Sequence, residues 1–566
     1  MIMPASVSSP HKNYRLLFYF ILTWLAINIL QACFTGLDGD EAYYWTYSRH
    51  LQWGYFDHPP MVALSVKLGE LFGHGWLYTR LGSILLSAGA VYFCFKALPD
   101  RLKNVRPYIV VFALVPIFHI YSFVTTPDAP LFFFTALFFY AYKLYLDHDD
   151  FIHSFFLAVS ILGMIFSKYH GILPVFFVFL SNPKLILKRS AWIVVIIVTA
   201  AFIPHLLWQY SNDWPTVRYH LFERSQGSYK LEKTTNYILG QLLIFGPFTT
   251  IVAVIFLFKR KIKADIYFRA HLFCFWGILL FFLLTSFKKN IEPHWTLTAG
   301  VSFVVLVLDL LERSSEKFKK VFFWLATINI VLIFIARILL AVPNSPARKI
   351  NRFQVQIYSH SWADSLYKRV AGTPVVFVDN YHYPSIYSYY HPDQMCTSYS
   401  TVYYRKSDYT FQNLATFNNQ NIYTVRQGKI AEHDIEVKSN YVPTFLHRVD
   451  SFKAINGLRI TWLNKNQSVQ IGQTIKATVE LSNPMNYSIS GNKLFLNYTF
   501  FKSKAEHKTS QNIWLNEQIL PAAYKKSIEI NLVLPTTAGK YKLIFSFDQP
   551  DLGPTFASPF YEIEVK

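Results

Sequence analysis

The sequence predicts a polytopic α-helical membrane protein with about eleven transmembrane helices, followed by an extracytoplasmic part that combines an α/β segment with a β-sandwich. Of the 566 residues, 52% are apolar and only 16% are charged, whereas roughly 25% of an average soluble chain is charged. Long apolar runs fill the chain up to residue 342, and a polar, mixed composition follows. These observations exclude a disordered protein and argue against an ordinary soluble enzyme.

Apolar runs of about 18 or more residues cross a bilayer as helices, because lipid offers the backbone no hydrogen-bond partners. The two short runs at 151–167 and 169–181 leave two interpretations open, either two spans or one broken helix. The candidate spans lie at roughly 14–34, 76–98, 107–124, 128–147, 151–167, 169–181, 190–210, 237–259, 268–287, 293–311 and 320–342.

Lysine and arginine are concentrated in alternate connections between these runs, and basic connections stay on the cytoplasmic side. This pattern predicts that the N-terminus lies inside the cytoplasm and that everything after residue 343 lies outside. The formal charge of +20 therefore belongs to a membrane protein and does not indicate a nucleic-acid partner. The main basic connections are Lys12/Arg15, Lys96/Arg101/Lys103/Arg106, Lys184/Lys188/Arg189, Lys259/Arg260/Lys261/Lys263/Arg269 and Arg313/Lys317/Lys319/Lys320.

The polar part of the chain predicts two further domains after the transmembrane domain at 1–342. In the mixed α/β segment at 343–450, Val375–Asp379 is typical of a buried strand. In the segment at 451–566, short alternating runs between turn signals predict a small β-sandwich. These runs are Gly457–Trp462, Thr474–Leu481, Lys493–Phe501, Ser527–Leu534, Tyr541–Phe547 and Tyr561–Val565.

The most informative segment is the first outer loop, at 35–75, which is too polar to be a span. An acidic pair, Asp40-Glu41, precedes an aromatic-rich stretch, and the pattern predicts two short interfacial helices over Ala42–Leu51 and Met61–Leu71. The acidic pair has two interpretations. It either caps the first helix and faces its dipole, or it takes part in catalysis.

An acidic pair after the first span, an aromatic interfacial helix and then Asp57-His58-Pro59-Pro60 resemble the GT-C class of membrane glycosyltransferases. Within that class, the pattern is similar to bacterial relatives of protein O-mannosyltransferases and of the lipid A aminoarabinose transferase (glycosyltransferase family 39-like). The resemblance covers roughly residues 14–310. It implies an enzyme that takes sugar from a polyprenyl-phosphate donor and gives it to a lipid, glycan or protein acceptor.

The resemblance also implies roles for individual residues of this sequence. Asp40 corresponds to an acid that acts on the acceptor, with Glu41 as its partner, and Asp128 corresponds to a second outer-face acid. The residues that match phosphate-facing positions of the family are His58, Lys168, Arg224, Lys288 and Lys289. His58 stands where the related pattern has a lysine, and the segment at 288–294 departs from the family in spacing.

The chemistry of the residues agrees with this assignment. A lipid-phosphate sugar donor has an anionic leaving group, which fixed cations at the membrane surface would stabilise. A carboxylate facing the acceptor hydroxyl would serve as base, and a single in-line attack would invert the anomeric carbon. Lys168 is distinctive because it lies between two apolar runs, where a charge is costly, although a lysine there could also reach ordinary lipid headgroups.

Cofactor and substrate predictions follow from the same residues. Asp57 and His220, with His58 nearby, offer ligands for a divalent metal ion, although no tight ligand spacing is present. No glycine-rich phosphate loop occurs in a strand-to-helix setting, so the sugar donor is expected to be lipid-linked. The alternative function is a transporter or flippase of lipid-linked glycans. Because the acids and bases cluster at one face without a visible repeat, the enzyme is favoured.

Overall fold

The computed structural model describes residues 10–220, 229–259, 264–342, 345–465, 468–490, 494–502, 507–509, 513–514, 519–549 and 551–566. The chain divides into two compact units, Met1–Ile357 and Tyr358–Lys566.

The first unit is helical. Its α-helices are α1 (Pro10–Phe34), α2 (Gly39–Arg49), α3 (Met61–Glu70), α4 (Trp76–Lys96), α5 (Val105–Ala113), α6 (Pro116–Ile120), α7 (Asp128–Asp147), α8 (Phe151–Ser167), α9 (Ile172–Ser181), α10 (Arg189–Ser211), α11 (Pro215–Arg218), α12 (Leu231–Phe245), α13 (Pro247–Lys259), α14 (Ile266–Ser286), α15 (Ala299–Glu312) and α16 (Glu316–Ala341).

Six of these helices, α1, α4, α7, α10, α14 and α16, are long and apolar enough to cross a bilayer. Helices α12 and α13 form one further candidate, bent by 102°, and α8 and α9 are shorter apolar helices. The chain is thus a multi-pass membrane protein, but the described residues do not confirm a count of eleven spans.

Two predicted spans are broken in the structure. The run at 107–124 divides into α5 and α6, because Pro116 has no N–H with which to continue the first helix. The run at 237–259 divides at Gly246, whose φ of 103° lies outside the helical region, and Pro247 begins the next helix. The sequence prediction of a continuous span is therefore wrong for both runs, because hydropathy alone does not detect a bend within an apolar run.

The chain breaks its helical conformation between α8 and α9. Lys168 has an extended backbone, with φ −160° and ψ 139°, and a 3₁₀ turn at Tyr169–Gly171 leads into α9. A Cβ on Gly171 would lie 2.5 Å from the carbonyl oxygen of Met164, so only glycine allows this close return. The two short apolar runs therefore form separate helical segments with Lys168 at their junction, and the choice between two spans and one broken helix stays open.

The first loop forms the two predicted helices, α2 and α3, but α2 is not an exposed interfacial helix. Its aromatic residues Tyr43, Trp45 and Tyr47 are buried within the protein, and Tyr47 stacks on Tyr55 with ring centres 4.0 Å apart. The expectation that this ring-rich face lies on the membrane is therefore wrong for α2. By contrast, α3 and the residues after it expose an apolar set, Leu64, Leu68, Leu71 and Phe72.

The second unit begins with a mixed α/β region. Strand β1 pairs in parallel with both β2 and β3, and the sheet order is β2-β1-β3-β5-β4. The elements are α17 (Gln354–Val370), β1 (Val375–Val378), α18 (His382–Tyr390), β2 (Cys396–Tyr399), β3 (Ile422–Arg426), β4 (Ile435–Val437) and β5 (Thr444–Val449).

The remainder of this unit is β-rich, as predicted. A sheet of order β11-β10-β15-β17-β7 and a three-stranded sheet of order β14-β8-β6 contribute to one apolar core, which is the arrangement of a sandwich. The strands are β6 (Arg459–Trp462), β7 (Ser468–Val469), β8 (Thr474–Asn483), β9 (Ile489–Ser490), β10 (Phe495–Phe501), β11 (His507–Thr509), β12 (Ile513–Trp514), β13 (Ile519–Leu520), β14 (Tyr524–Val533), β15 (Gly539–Gln549), β16 (Gly553–Phe556) and β17 (Tyr561–Val565).

Candidate active site

Asp40 lies in the first turn of α2, two residues after the residue that caps this helix. The cap is Asp38, whose carboxylate accepts a hydrogen bond of 3.1 Å from the backbone N–H of Asp40. Burial, followed by repulsion from the Asp40 carboxylate, raises the pKa of Asp38 above its ordinary value, and Arg352 opposes this shift. Two carboxylates are therefore held close together at this helix terminus.

The sequence analysis paired Glu41 with Asp40, whereas in the structure the side chain of Glu41 pairs with Arg80. Its carboxylate is fully buried and forms a two-pronged ion pair with Arg80 of α4, with N–O distances of 2.7 and 2.5 Å. The same carboxylate accepts hydrogen bonds from the backbone N–H groups of Asp38 and Thr125. This geometry gives Glu41 the role of linking three segments, and no contact with a substrate is needed to explain it.

Arg80 was not identified from the sequence. Besides Glu41, its guanidinium donates to the carbonyl oxygens of Ala32, Thr35 and Gly36 at the end of α1. The available signal was a lone arginine within an apolar run, where a charge is costly unless it is paired.

Asp128 and Lys168, which the sequence analysis treated separately, form a buried ion pair. The Lys168 ammonium lies 3.0 and 2.8 Å from the two carboxylate oxygens of Asp128. The side chain of Lys168 is only 9% exposed and that of Asp128 only 3%. His294 adds a ring nitrogen 3.9 Å from the same carboxylate. Lys168 therefore has a counter-ion, 40 positions away in sequence, that its local sequence did not reveal.

The other residues that were predicted to bind the donor phosphate differ from one another in their contacts and exposure. The ammonium of Lys289 donates a 2.9 Å hydrogen bond to the carbonyl oxygen of His220, whereas Lys288 is exposed. The ring of His58 lies 5.6 Å from that of Tyr44. Arg224 lies outside the described residues.

Asp57 and His220, the predicted metal ligands, are neighbours in the structure. The Nε2 atom of His220 lies 3.4 Å from the backbone carbonyl oxygen of Asp57 and donates to it. Two side chains are fewer than the three or more protein ligands of typical zinc sites, and among the described residues neither belongs to a group of three possible ligands. A divalent metal ion at this pair remains a prediction, because residues 221–228, which directly follow His220, lie outside the described residues.

The sequence also did not predict a hydrogen-bond network that includes Tyr169, the residue after Lys168. His205 donates from Nδ1 to the carbonyl oxygen of Trp53 at 2.6 Å, so its Nε2 accepts from the hydroxyl of Tyr169 at 3.0 Å. Gln209 donates to the same Tyr169 hydroxyl and to Thr216. These contacts connect the first loop to the α8–α9 joint and to α10.

The acids and bases meet in one region of the first unit. The Tyr121 hydroxyl lies in the electrostatic field of Asp128, Asp40 and Asp38. The buried ring of His170 lies in the field of Lys168, His294 and His220. Residues from five separate segments of the sequence thus contribute to this region, and Asp128 is the carboxylate that contacts its cations directly.

Comparisons with known proteins agree with this geometry. Residues 57–208 match the family model described as dolichyl-phosphate-mannose-protein mannosyltransferase. The chain is 24% identical over 395 residues to the lipid A galacturonosyltransferase RgtD of Rhizobium johnstonii, an alignment that covers 66% of this chain and 81% of the relative.

Solved structures show the same fold. The apo structure of ArnT from Cupriavidus metallidurans superposes with a TM-score of 0.55 at 14% identity, covering 76% of this chain and 98% of ArnT. The structure of the same protein bound to undecaprenyl phosphate gives 0.53 at 15% identity, covering 76% and 97%. The findings together support a GT-C class membrane glycosyltransferase. In this transferase, the region matched by the family model includes Asp57, His58, Asp128 and Lys168, while Asp40 lies before it.

Proposed function

We propose that this transferase moves a sugar from a polyprenyl-phosphate donor to an extracytoplasmic acceptor, with inversion at the anomeric carbon. The observation that carries the proposal is the contact of Asp128 with Lys168 and His294, together with the charges of Asp40 and Asp128, both of which act on the Tyr121 hydroxyl. A phosphate leaving group needs fixed cations, and an attacking hydroxyl needs a base. These residues offer both within one protein unit.

In the proposed step, the acceptor hydroxyl oxygen attacks the anomeric carbon of the donor sugar. The bond from that carbon to the phosphate oxygen breaks, and its electron pair leaves with the polyprenyl phosphate. Asp40 takes the hydroxyl proton. Asp128 is the less suitable base, because both of its carboxylate oxygens already accept hydrogen bonds from Lys168.

Lys168 is proposed to bind the donor phosphate by exchanging its hydrogen bonds with Asp128 for hydrogen bonds to phosphate oxygens. Lys289, His58, Arg224 and Lys288 complete the proposed phosphate-binding set. Glu41 is proposed as a positioning residue, because its ion pair with Arg80 fixes the start of α2, on which Asp40 lies.

The relatives support a lipid-linked donor and favour a lipid acceptor. One matched protein is a lipid A galacturonosyltransferase and the other was solved with undecaprenyl phosphate. We therefore place lipid A before polysaccharide or protein among the acceptors, and we place the enzyme in the bacterial cytoplasmic membrane with its second unit outside.

The test uses purified full-length protein in liposomes with a radiolabelled polyprenyl-phosphate sugar and lipid A. We expect the label to appear on the acceptor, with an anomeric configuration opposite to that of the donor. Movement of labelled carrier across the bilayer without transfer would instead indicate a transporter or flippase. Retained configuration would contradict the single-displacement mechanism.

A further inference from the structure

A cluster of two histidines and two aspartates lies in the second unit, whereas the candidate active site belongs to the first unit. His433 and Asp434 precede β4, His447 lies on β5, and Asp551 follows β15. One potential ligand atom from each of His433, Asp434 and His447 lies within 4.8 Å of the others. The Nε2 atom of His447 lies 3.5 Å from a carboxylate oxygen of Asp551.

Asp434 orients the ring of His447. Its side chain is 1% exposed, and one of its oxygens accepts the backbone N–H groups of Ile430 and Ala431 at 2.7 and 3.0 Å. The other oxygen lies 2.8 Å from Nδ1 of His447. A carboxylate oxygen only accepts here, so Nδ1 carries the proton, and a His447 that is neutral has the lone pair on Nε2, the atom near Asp551. Histidines that bind metals are commonly held in this way by a carboxylate.

The Nε2 atom of His447 meets a second acceptor. A neutral imidazole nitrogen and a carboxylate oxygen repel each other at 3.5 Å, unless a cation lies between them or Nε2 itself carries a proton. Zinc bonds of about 2.0–2.1 Å place two tetrahedral ligands roughly 3.3–3.4 Å apart, close to the separation observed. The ring of His433, whose side chain is exposed, lies 5.3 Å from the ring of His447 and can supply a further ligand.

We propose that this cluster is a binding site for a zinc-like divalent ion held by His433, Nε2 of His447 and Asp551. Asp434 would act as the outer partner of His447, and water would fill the fourth position. Two imidazoles favour zinc over magnesium or calcium, which prefer oxygen ligands. The site is independent of the proposed transferase activity and of the Asp57–His220 pair.

The nearby charge of Arg426 limits the affinity of the site. Its guanidinium donates to the backbone carbonyl oxygen of Asp551 at 3.0 Å, and its charge acts on Asp551 and Asp434. The competing arrangement is an ion pair alone, in which a protonated His447 lies between Asp434 and Asp551. That arrangement needs neither His433 nor a metal, so the two can be separated by experiment.

The site would join three segments of the second unit, namely the loop before β4, strand β5 and the residues after β15. An ion bound only to the folded state stabilises it by mass action. Zinc should therefore raise the unfolding temperature of this unit in the wild-type protein.

The test uses untagged full-length protein in detergent, dialysed against EDTA and then against zinc chloride, with metal content measured by mass spectrometry. We expect wild type to retain about one more zinc ion per chain than His447→Ala, Asp551→Asn or His433→Ala. His382→Ala, a histidine of the same unit outside the cluster, is the control and should match wild type. The exposed position of His433 makes its substitution compatible with folding even where His447→Ala is not.

A second measurement compares thermal unfolding with and without zinc. We expect a zinc-dependent rise for wild type and His382→Ala that is lost in the cluster variants. Equal zinc content in wild type and all three cluster variants would overturn the proposal, as would a zinc-dependent shift that survives in His433→Ala and Asp551→Asn.

Discussion

At the scale of single residues, the acids of the first unit divide by what they contact. Glu41 and Asp128 each form a buried ion pair, whereas Asp40 is half-buried in the first turn of a capped helix. A carboxylate committed to a buried cation is a poor proton acceptor for a substrate. The proposal assigns the base to Asp40 because it corresponds to the acid that acts on the acceptor in the family that the sequence resembles.

We predict that Asp40→Asn abolishes sugar transfer while the protein stays folded. The substitution removes a negative charge near a helix N-terminus, which is worth roughly 0.3–1 kcal/mol of stability, but it also removes the base. Transfer and thermal unfolding would be measured on the same purified protein. Asp393→Asn, at an exposed position of the second unit, is the control, and near-normal transfer by Asp40→Asn would refute the assignment.

We predict that Lys168→Ala weakens binding of the sugar donor by tenfold or more, because a charge-assisted hydrogen bond is worth about 1.5–3 kcal/mol. The substitution also leaves Asp128 buried without its cation, so stability should fall by about 3–5 kcal/mol. Donor titration and unfolding would be measured together.

The double variant Lys168→Ala/Asp128→Asn separates these two effects. It removes the unpaired charge, so we expect stability to recover while donor affinity remains low. If donor affinity also returned to the wild-type value, Lys168 would serve only to neutralise Asp128.

At the scale of elements, the start of α2 is held by contacts with α4 and with the segment before α7. The Glu41 carboxylate receives the Arg80 guanidinium from α4 and the Thr125 N–H from that segment. Close packing nearby depends on glycine, since a Cβ on Gly82 of α4 would lie 2.1 Å from the carbonyl oxygen of Ser65 on α3. The position of Asp40 thus depends on how these helices pack.

We predict that Arg80→Ala destabilises the protein by about 3–5 kcal/mol, because it leaves the Glu41 charge buried and unpaired. Thermal or denaturant unfolding in detergent would measure the loss. The matched control is Arg218→Ala, whose ion pair with Asp213 is exposed at both ends and is worth about 1 kcal/mol or less. Equal effects of the two substitutions would show that the buried pair does not hold the loop.

At the scale of the whole molecule, the chain combines a multi-pass membrane unit with a second unit made of an α/β region and a β-sandwich. The alternating basic connections predict that the second unit lies outside the cytoplasm. The orientation is still a prediction, because helix positions alone do not distinguish the two sides of a membrane.

We predict that a reporter enzyme active only in the periplasm is active when fused after Lys566. The same reporter fused after Lys188, in a basic connection, should be inactive. Activity of a cytoplasm-only reporter at the C-terminus would reverse the orientation and, with it, the outer-face location of the candidate active site.

The sequence by itself determined the division into a membrane part and a β-rich part. Hydropathy over a span and alternation along a strand are local properties, so α1, α4 and the sandwich strands were predictable from short windows. The acidic loop residues and Lys168 could also be identified from the sequence. A charged side chain beside an apolar run carries a free-energy cost, so its presence indicates a partner or a function.

Only the tertiary structure decided which of these residues meet. Glu41 and Arg80 are 39 positions apart and Asp128 and Lys168 are 40 apart, and only helix packing brings them into contact. It also decided that the rings of α2 are buried, that the run at 237–259 is bent, and that His447 and Asp551 face each other. The physical reason is that pairing energies depend on distance and burial in three dimensions, which no local pattern of residues specifies.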